Sequence, residues 1–389
     1  MSLSDRSPDL PSLRDWLSAR QTRWVEALEE MVRCESPSGD HAAIAACARI
    51  AERLFRDAGE QPGSQLLEQD GVPALHLSWG PAEGHSVLLL GHLDTVWEKG
   101  SFLPLFAVGD GRVQGPGVFD MKGGVVLALA AIAALQEVAG PGARISLLLT
   151  GDEEVGSSSS KALIEAEAQK CSAVLVLEPP VGRAVKIARK GVGAYRLTVR
   201  GRAAHAGLEP ERGVNSLVGM APLVAQVAAL GRPEHGTTVS PTRLQAGSRT
   251  NVIPAQATLD IDVRFATAAE AERVDTAIHK LDVGLAEATL EVAGGANRPP
   301  FEASASSRLF VIAMEVASEL GWRELEGASV GGGSDGNLTA ALGVPTLDGL
   351  GIVGGNAHAL GEWAELETIP DRAALLAGCI ASICGRGVT

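Results

Sequence analysis

The sequence predicts an α/β protein, a mostly parallel sheet sandwiched by helices, with a smaller α+β domain inserted into it. Three observations carry this. Short apolar runs bounded by turn signals alternate with helical segments through the first half of the chain, the pattern of βα units. Near residue 189 the texture changes to strands that alternate apolar and polar residues, as half-buried antiparallel strands do. From Ser306 the α/β texture returns. At 389 residues the chain also exceeds what one hydrophobic core usually serves. The expected division is a first part of the larger domain over 1–188, the insertion over 189–299 and a second part over 300–389.

Taken in order, residues 12–33 and 41–57 carry apolar side chains at helical spacing, broken by the turn signal SPSGD. Residues 74–79 and 86–90 read as strands. Gly123–Val138, GGVVLALAAIAALQEV, is too long and too rich in alanine for a strand and predicts a buried helix. Strands at 145–150 and 173–177 flank a helical 158–169. In the insertion, 193–200 and 257–265 alternate, with helices over about 214–230 and 268–285. A helix, the glycine loop GGGSDGN, a strand near 345–350 and a final helix close the chain.

The formal net charge of -14 argues against nucleic acid or anionic membrane as a general partner. An anionic substrate would need a few local cations. Cys34, Cys47, Cys171, Cys379 and Cys384 are odd in number and form no CxxC pair, so they read as buried, inert thiols of a reducing compartment. No apolar stretch of signal type opens the chain, and no run approaches the ~20 apolar residues that span a bilayer. The expectation is a soluble, cytoplasmic protein.

In parallel α/β sheets the functional crevice lies outside the carboxyl ends of the strands. Several potential metal ligands fall there: His92 and Asp94 in LLLGHLDTV, Asp120 in GVFDMKGG, Asp152, Glu153 and Glu154 in LLLTGDEEVGS, and Glu178 in VLVLEPP. His358 in GGNAHALGEW follows the last strand. Taken singly, each is a cap, a turn residue or a solvated charge. Together they would crowd carboxylates onto one rim, where they raise one another's pKa values. Bound divalent metal removes that conflict, and histidine with carboxylate suits zinc better than calcium. An acid shared by two ions would make a bridged pair able to polarise a carbonyl and generate hydroxide.

These motifs resemble those of the co-catalytic dizinc aminoacylase and carboxypeptidase family, which includes glutamate carboxypeptidase, acetylornithine deacetylase and succinyl-diaminopimelate desuccinylase. GHLDTV, GPGVFDMKGG, TGDEEVGS, LEP, RGRAAHAG, GSRTNVIP, GGGSDGN and the terminal histidine follow the family's order over almost the whole chain. The resemblance implies a zinc-exopeptidase type of sheet, an inserted ferredoxin-like dimerisation domain and a homodimer. It implies two zinc ions bridged by Asp120, one also taking His92 and Glu178, the other Glu154 and His358. Asp94 matches the acid that orients the first histidine, and Glu153 the general base acting on the water between the metals. His205 matches a histidine that reaches the partner subunit's active site and polarises the scissile carbonyl. Asn251 matches a polar residue near the substrate. Around His358 the chain departs from the pattern, since only small residues surround it.

Two cations bear on the substrate. Arg264, in DIDVRF, matches an arginine that binds a substrate carboxylate; the alternative is a cross-strand ion pair with an acid such as Asp262. Lys186, eight residues after Glu178, matches a lysine that in glutamate carboxypeptidases contacts the glutamate side chain; the alternative is an exposed strand lysine. The expected reaction is zinc-dependent release of C-terminal glutamate or aspartate from peptides or N-acyl amino acids. The rival on the same fold is an N-acyl amino acid deacylase, acetylornithine deacetylase-like. Dinucleotide binding is disfavoured because neither GPGVFDMKGG nor GGGSDGN has the GxGxxG spacing after a strand. Gly191, Gly193 and the Arg298-Pro299-Pro300 tract read as hinges of a closing site.

Overall fold

The computed structural model describes residues 8–139 and 142–388. They divide into two compact units: the chain up to Ala188 with Ala303–Ser329 and the segment from Ser334 on, and a second unit of Arg189–Glu302 with Val330–Gly333.

The first unit is built on a six-stranded sheet in the order Gly63–Gln69, Val72–Trp79, Arg144–Thr150, Ser86–His92, Ala173–Val176, Thr346–Leu347. The last four pair in parallel, and the first two add antiparallel strands at one edge. Every residue of Ser86–His92 is buried, which is why its sequence is a continuous apolar run: a central parallel strand has both faces covered. Gly63–Gln69 escapes a sequence reading because GSQLLEQ is an exposed edge strand with no apolar face. The single helix expected over 12–33 is two, Leu10–Ser18 and Gln21–Arg33, broken where Arg20 leaves the helical region at φ -117, ψ 17.

Helix Gly123–Val138 is buried from Gly123 through Leu135, as its all-round apolar sequence requires. Gly124 allows the helix to approach the sheet: a Cβ there would lie 2.0 Å from the Leu177 carbonyl oxygen. Against the expectation that no run is long enough, Val118–Val138 could cross a membrane by length and composition alone; its apolar window is 94% buried within the fold. Among the described residues all five cysteines are free, with Cys47 and Cys379 buried.

The second unit is a four-stranded antiparallel sheet in the order Thr238–Ala246, Gln256–Phe265, Gly191–Arg200, Thr289–Arg298. Alternate residues of the two central strands are buried, and Leu197, Val199, Leu259, Ile261 and Val263 pack with Met220, Leu223 and Val227 of helix Ser216–Ala228 and Val274 and Ile278 of helix Ala268–His279. Each helix starts on a side-chain cap: Asn215 accepts from the Leu217 and Val218 amides, Thr267 from that of Glu270. Gly191 and Gly193 do not form a hinge loop. Gly193 lies inside a strand and is paired on both sides, Gly191 opens that strand paired with Phe265, and a Cβ at Gly191 would meet the Phe265 ring at 2.1 Å.

Candidate metal centre

Three adjacent parallel strands aim at one rim. Ser86–His92 ends on His92 with Asp94 just beyond, Arg144–Thr150 runs into Asp152, Glu153 and Glu154, and Ala173–Val176 runs into Glu178. Asp120 comes from the irregular turn ahead of helix Gly123–Val138, and His358 from the loop between Gly354–Gly355 and Trp363–Glu365.

These side chains meet. His92 Nε2 stands 3.3 Å from Asp120 Oδ1 and 3.5 Å from Glu178 Oε1. His358 Nε2 stands 3.3 Å from Asp120 Oδ2 and 3.0 Å from Glu154 Oε2. Asp120 thus faces one histidine with each oxygen. Ligand atoms of His92, Asp120 and Glu154 lie within 4.8 Å of one another, as do those of His92, Glu153 and Glu178. His92 Nε2 and Asp120 Oδ1 are buried yet make no hydrogen bond, to each other or to any other group. Orphaned polar atoms are costly in a fold, and a cation between them satisfies both. Imidazole nitrogen with carboxylate oxygen is the donor set of a borderline divalent metal, so the residues present fit such an ion.

The acids around the centre divide the work. Asp94, fully buried, accepts from the amides of Glu153 at 3.1 Å and Glu154 at 3.2 Å and from Ser38 Oγ at 2.8 Å. Its backbone carbonyl, at 2.9 Å, receives His92 Nδ1–H, with the carboxylate 3.5 Å away. The expected orienting acid therefore holds the histidine mainly through its main chain and spends its carboxylate on the Glu153-Glu154 turn. That turn is a single 3-10 turn, Glu153–Val155. Asp152 braces it, accepting from the Ser159 and Ser160 amides at 2.9 and 3.3 Å and from the Ser160 hydroxyl. Asp335 of GGGSDGN takes the Ser157 hydroxyl and Thr150 Oγ1 at 3.2 Å, a bracing role that no local pattern announces.

Electrostatics follow from this crowding. Burial pulls the His92 pKa down, but Asp120, Asp94 and Glu178 outweigh it and hold the imidazole well above its ordinary value. Burial pushes Asp120 up, yet the two histidines hold it well below the usual carboxylate range. Asp120 and Glu154 push His358 up to about 10. Burial raises Glu154 against the opposing pull of His358.

The substrate candidates are dispersed. Lys186 is not the exposed strand lysine of the alternative reading; its side chain is 12% exposed and its Nζ lies 3.8 Å from Glu178 Oε2. His205, Asn251 and Arg264 belong to the second unit. His205 Nδ1 accepts from the Gly207 and Leu208 amides, both at 3.2 Å, which leaves its proton on the exposed Nε2. The Asn251 carbonyl accepts from the Ala206 amide at 2.9 Å, fastening the two motifs side by side. Arg264 forms a bidentate pair with Asp262, at 3.0 and 2.9 Å; the partner is two residues back on the same strand, not across the sheet.

A parallel sheet whose strand ends and neighbouring loops gather two histidines and an acid between them defines a metallohydrolase type of centre. The chain belongs to peptidase family M20/M25/M40, whose model matches residues 88–382, and is a hydrolase of the metallopeptidase class. It is 31% identical over 370 residues to carboxypeptidase G2 of Pseudomonas sp. (strain RS-16), covering 90% of this chain and 86% of that one. It is 31% identical over 264 residues to a succinyl-diaminopimelate desuccinylase of Rhodopseudomonas palustris (strain BisA53), covering 61% and 66%. Among solved structures, aminopeptidase PepT from Bacillus cereus ATCC 10987 superposes with a TM-score of 0.77 at 23% identity, covering 93% of this chain and 98% of that one, a likeness of fold.

Proposed function

We propose that this chain hydrolyses an amide bond with two zinc ions held by His92, Asp120, Glu154, Glu178 and His358, releasing a C-terminal glutamate or aspartate from a peptide or N-acyl amino acid. The observation that carries the reading is Asp120 standing between the two histidines with one oxygen toward each. Bound there, the ions would polarise the scissile carbonyl and make water acidic enough to be deprotonated near neutral pH. The remaining work falls to the chain's own groups. Glu153, clustered with His92 and Glu178 and held by its amide to Asp94, takes the proton of the attacking water and delivers it to the leaving nitrogen. His205, with its proton on Nε2, donates toward the carbonyl oxygen as negative charge develops there.

Similarity to carboxypeptidase G2 and the cations Lys186 and Arg264 support an acidic leaving residue. One observation favours the rival: both cations already have carboxylate neighbours, Glu178 and Asp262, so an N-acyl amino acid deacylase of the acetylornithine deacetylase type keeps a claim. A panel of N-acyl amino acids assayed with added zinc decides. Preference for N-acylglutamate over N-acetylornithine supports the first reading, and the reverse order removes it.

Homodimerisation through the second unit is part of the proposal. Strand Thr238–Ala246 pairs on one side only, and Leu217, Val218 and Leu244 of this unit are exposed. Mixing Glu153→Gln with His205→Ala subunits should restore activity if His205 serves the partner's site; an inactive mixture removes the trans histidine.

A further inference from the structure

Glu362 follows His358 by four residues, and nothing in its sequence surroundings singles it out. In the fold it is fully buried, 0% exposed, and its carboxylate accepts four hydrogen bonds. Oε1 receives the backbone N–H groups of Phe119 and Asp120, each at 2.9 Å. Oε2 receives the Gly117 N–H at 3.0 Å and the Trp97 indole N–H at 2.7 Å. Its main-chain carbonyl accepts from the Gly115 amide at 3.4 Å. Four donors are the complement a buried, ionised carboxylate needs, and three of them are the backbone of one turn.

That turn presents Asp120, the acid between the two histidines. The opposite end of the connection is His358, which lies in a positive-φ conformation (φ 59) with its side chain 52% exposed. Burial does not fix His358 in place. The loop that carries it is anchored instead through Glu362, whose amide also donates to the Ala359 carbonyl at 3.1 Å.

We propose that Glu362 is a positioning residue that locks the Asp120 turn to the His358 loop and so sets the affinity of the centre for the cation these two residues share. It acts through its neighbours and is not a member of the ligand clusters. The inference rests on the metal reading above, and its test separates the two.

Zinc-loaded wild type and E362Q are dialysed against graded chelator, and the zinc retained is measured by elemental analysis. Glutamine keeps the volume but turns an N–H donor toward N–H donors, so amides of the Asp120 turn lose a partner. E362Q should release one ion at a chelator concentration roughly 10- to 100-fold lower than wild type, the scale seen when groups supporting metal ligands are removed. It should keep the other ion, lose kcat with little change in KM, and regain turnover in excess zinc. H358A should lose the same ion, and the double variant should lose no further affinity. Retention of both ions within about twofold of wild type would overturn the proposal, as would parallel loss of both ions together with a lowered melting temperature of the metal-free protein. If E362Q does not fold, W97F, which removes one of the four donors, should weaken the same ion by a smaller factor; unchanged retention then overturns it. A wild type that binds no zinc overturns the metal reading itself.

Discussion

The two halves of the candidate centre are built in opposite ways. His92 is 1% exposed, closes a central strand and lies against Asp94, whose carboxylate accepts from Ser38 and from the Glu153 and Glu154 amides. His358 is half exposed, sits in a loop with positive φ, and owes its place to contacts made by other residues. The buried half is a consequence of the sheet: once the strands pair, His92 and Glu178 stand at neighbouring strand ends. The exposed half is assembled from chain distant in sequence, Glu154 and His358 lying 204 positions apart. A buried histidine on one side of Asp120 and a half-exposed one on the other would let one site hold its ions and still admit substrate.

Four measurements break or sharpen this contrast. The largest effect is expected at Glu153, which belongs to neither ligand pair around Asp120. Glu153→Gln should lower turnover by about 100- to 10,000-fold, the span for removing a general base, while elemental analysis still finds both ions. Loss of metal in this variant would make Glu153 a ligand.

Next come the histidines themselves. His92→Ala and His358→Ala should each cost metal affinity in a chelator competition, but the first should lower the melting temperature of the metal-free protein more than the second. Truncating His92 leaves the buried Asp94 carbonyl without its donor, a penalty of about 1–3 kcal/mol, whereas the half-exposed His358 gives up its pairing with Asp120 and Glu154 where water can take its place. Equal melting losses would erase the distinction between the halves.

Lys186→Ala should raise KM for N-acylglutamate about 10- to 100-fold, the worth of one charge-assisted hydrogen bond of roughly 1.5–3 kcal/mol, with a smaller change for N-acyl amino acids lacking a side-chain acid. An equal change for both would mean that Lys186 serves Glu178 and not the substrate.

The smallest effect is expected away from the centre. Glu167 is held at a pKa of about 2 by His76 first, then by Lys170 and Ser146, which approach to 3.0, 2.8 and 2.9 Å. Its folded value lies below the ordinary carboxylate value of 4.5, so its contribution is complete above pH 4.5 and is lost as pH falls toward 2. Glu167→Gln should cost roughly 2 kcal/mol near neutral pH and flatten the acid limb of a stability profile. Metal content should not change, since this is an acid that structure alone explains.

Much of the site was legible because strands of a parallel sheet write themselves as apolar runs, and the polar residues that end them stand out. His92, Glu154 and Glu178 are visible for that reason. Asp120, in a glycine-flanked loop, and His358, after the last strand, stand out as candidates too, but their roles as shared acid and second histidine rest on the resemblance to a family. The pairings of Lys186 with Glu178 and Arg264 with Asp262 were not decided by any local pattern, because an exposed and a paired cation occupy the same alternating strand. Glu362 and Asp335 were invisible as supports, since a carboxylate that holds backbone amides leaves no periodicity and no spacing.

The sequence by itself determined the α/β class, the inserted antiparallel unit and the strand ends where charge collects, because burial forces periodicity onto the chain. The tertiary structure alone decided which oxygen of Asp120 meets which histidine, that Asp94 grips the Glu153-Glu154 turn, and that one buried glutamate ties two distant loops together. Hydrogen bonds such as that between Trp97 and Glu362, 265 positions apart, obey geometry in space, and nothing in linear order records it.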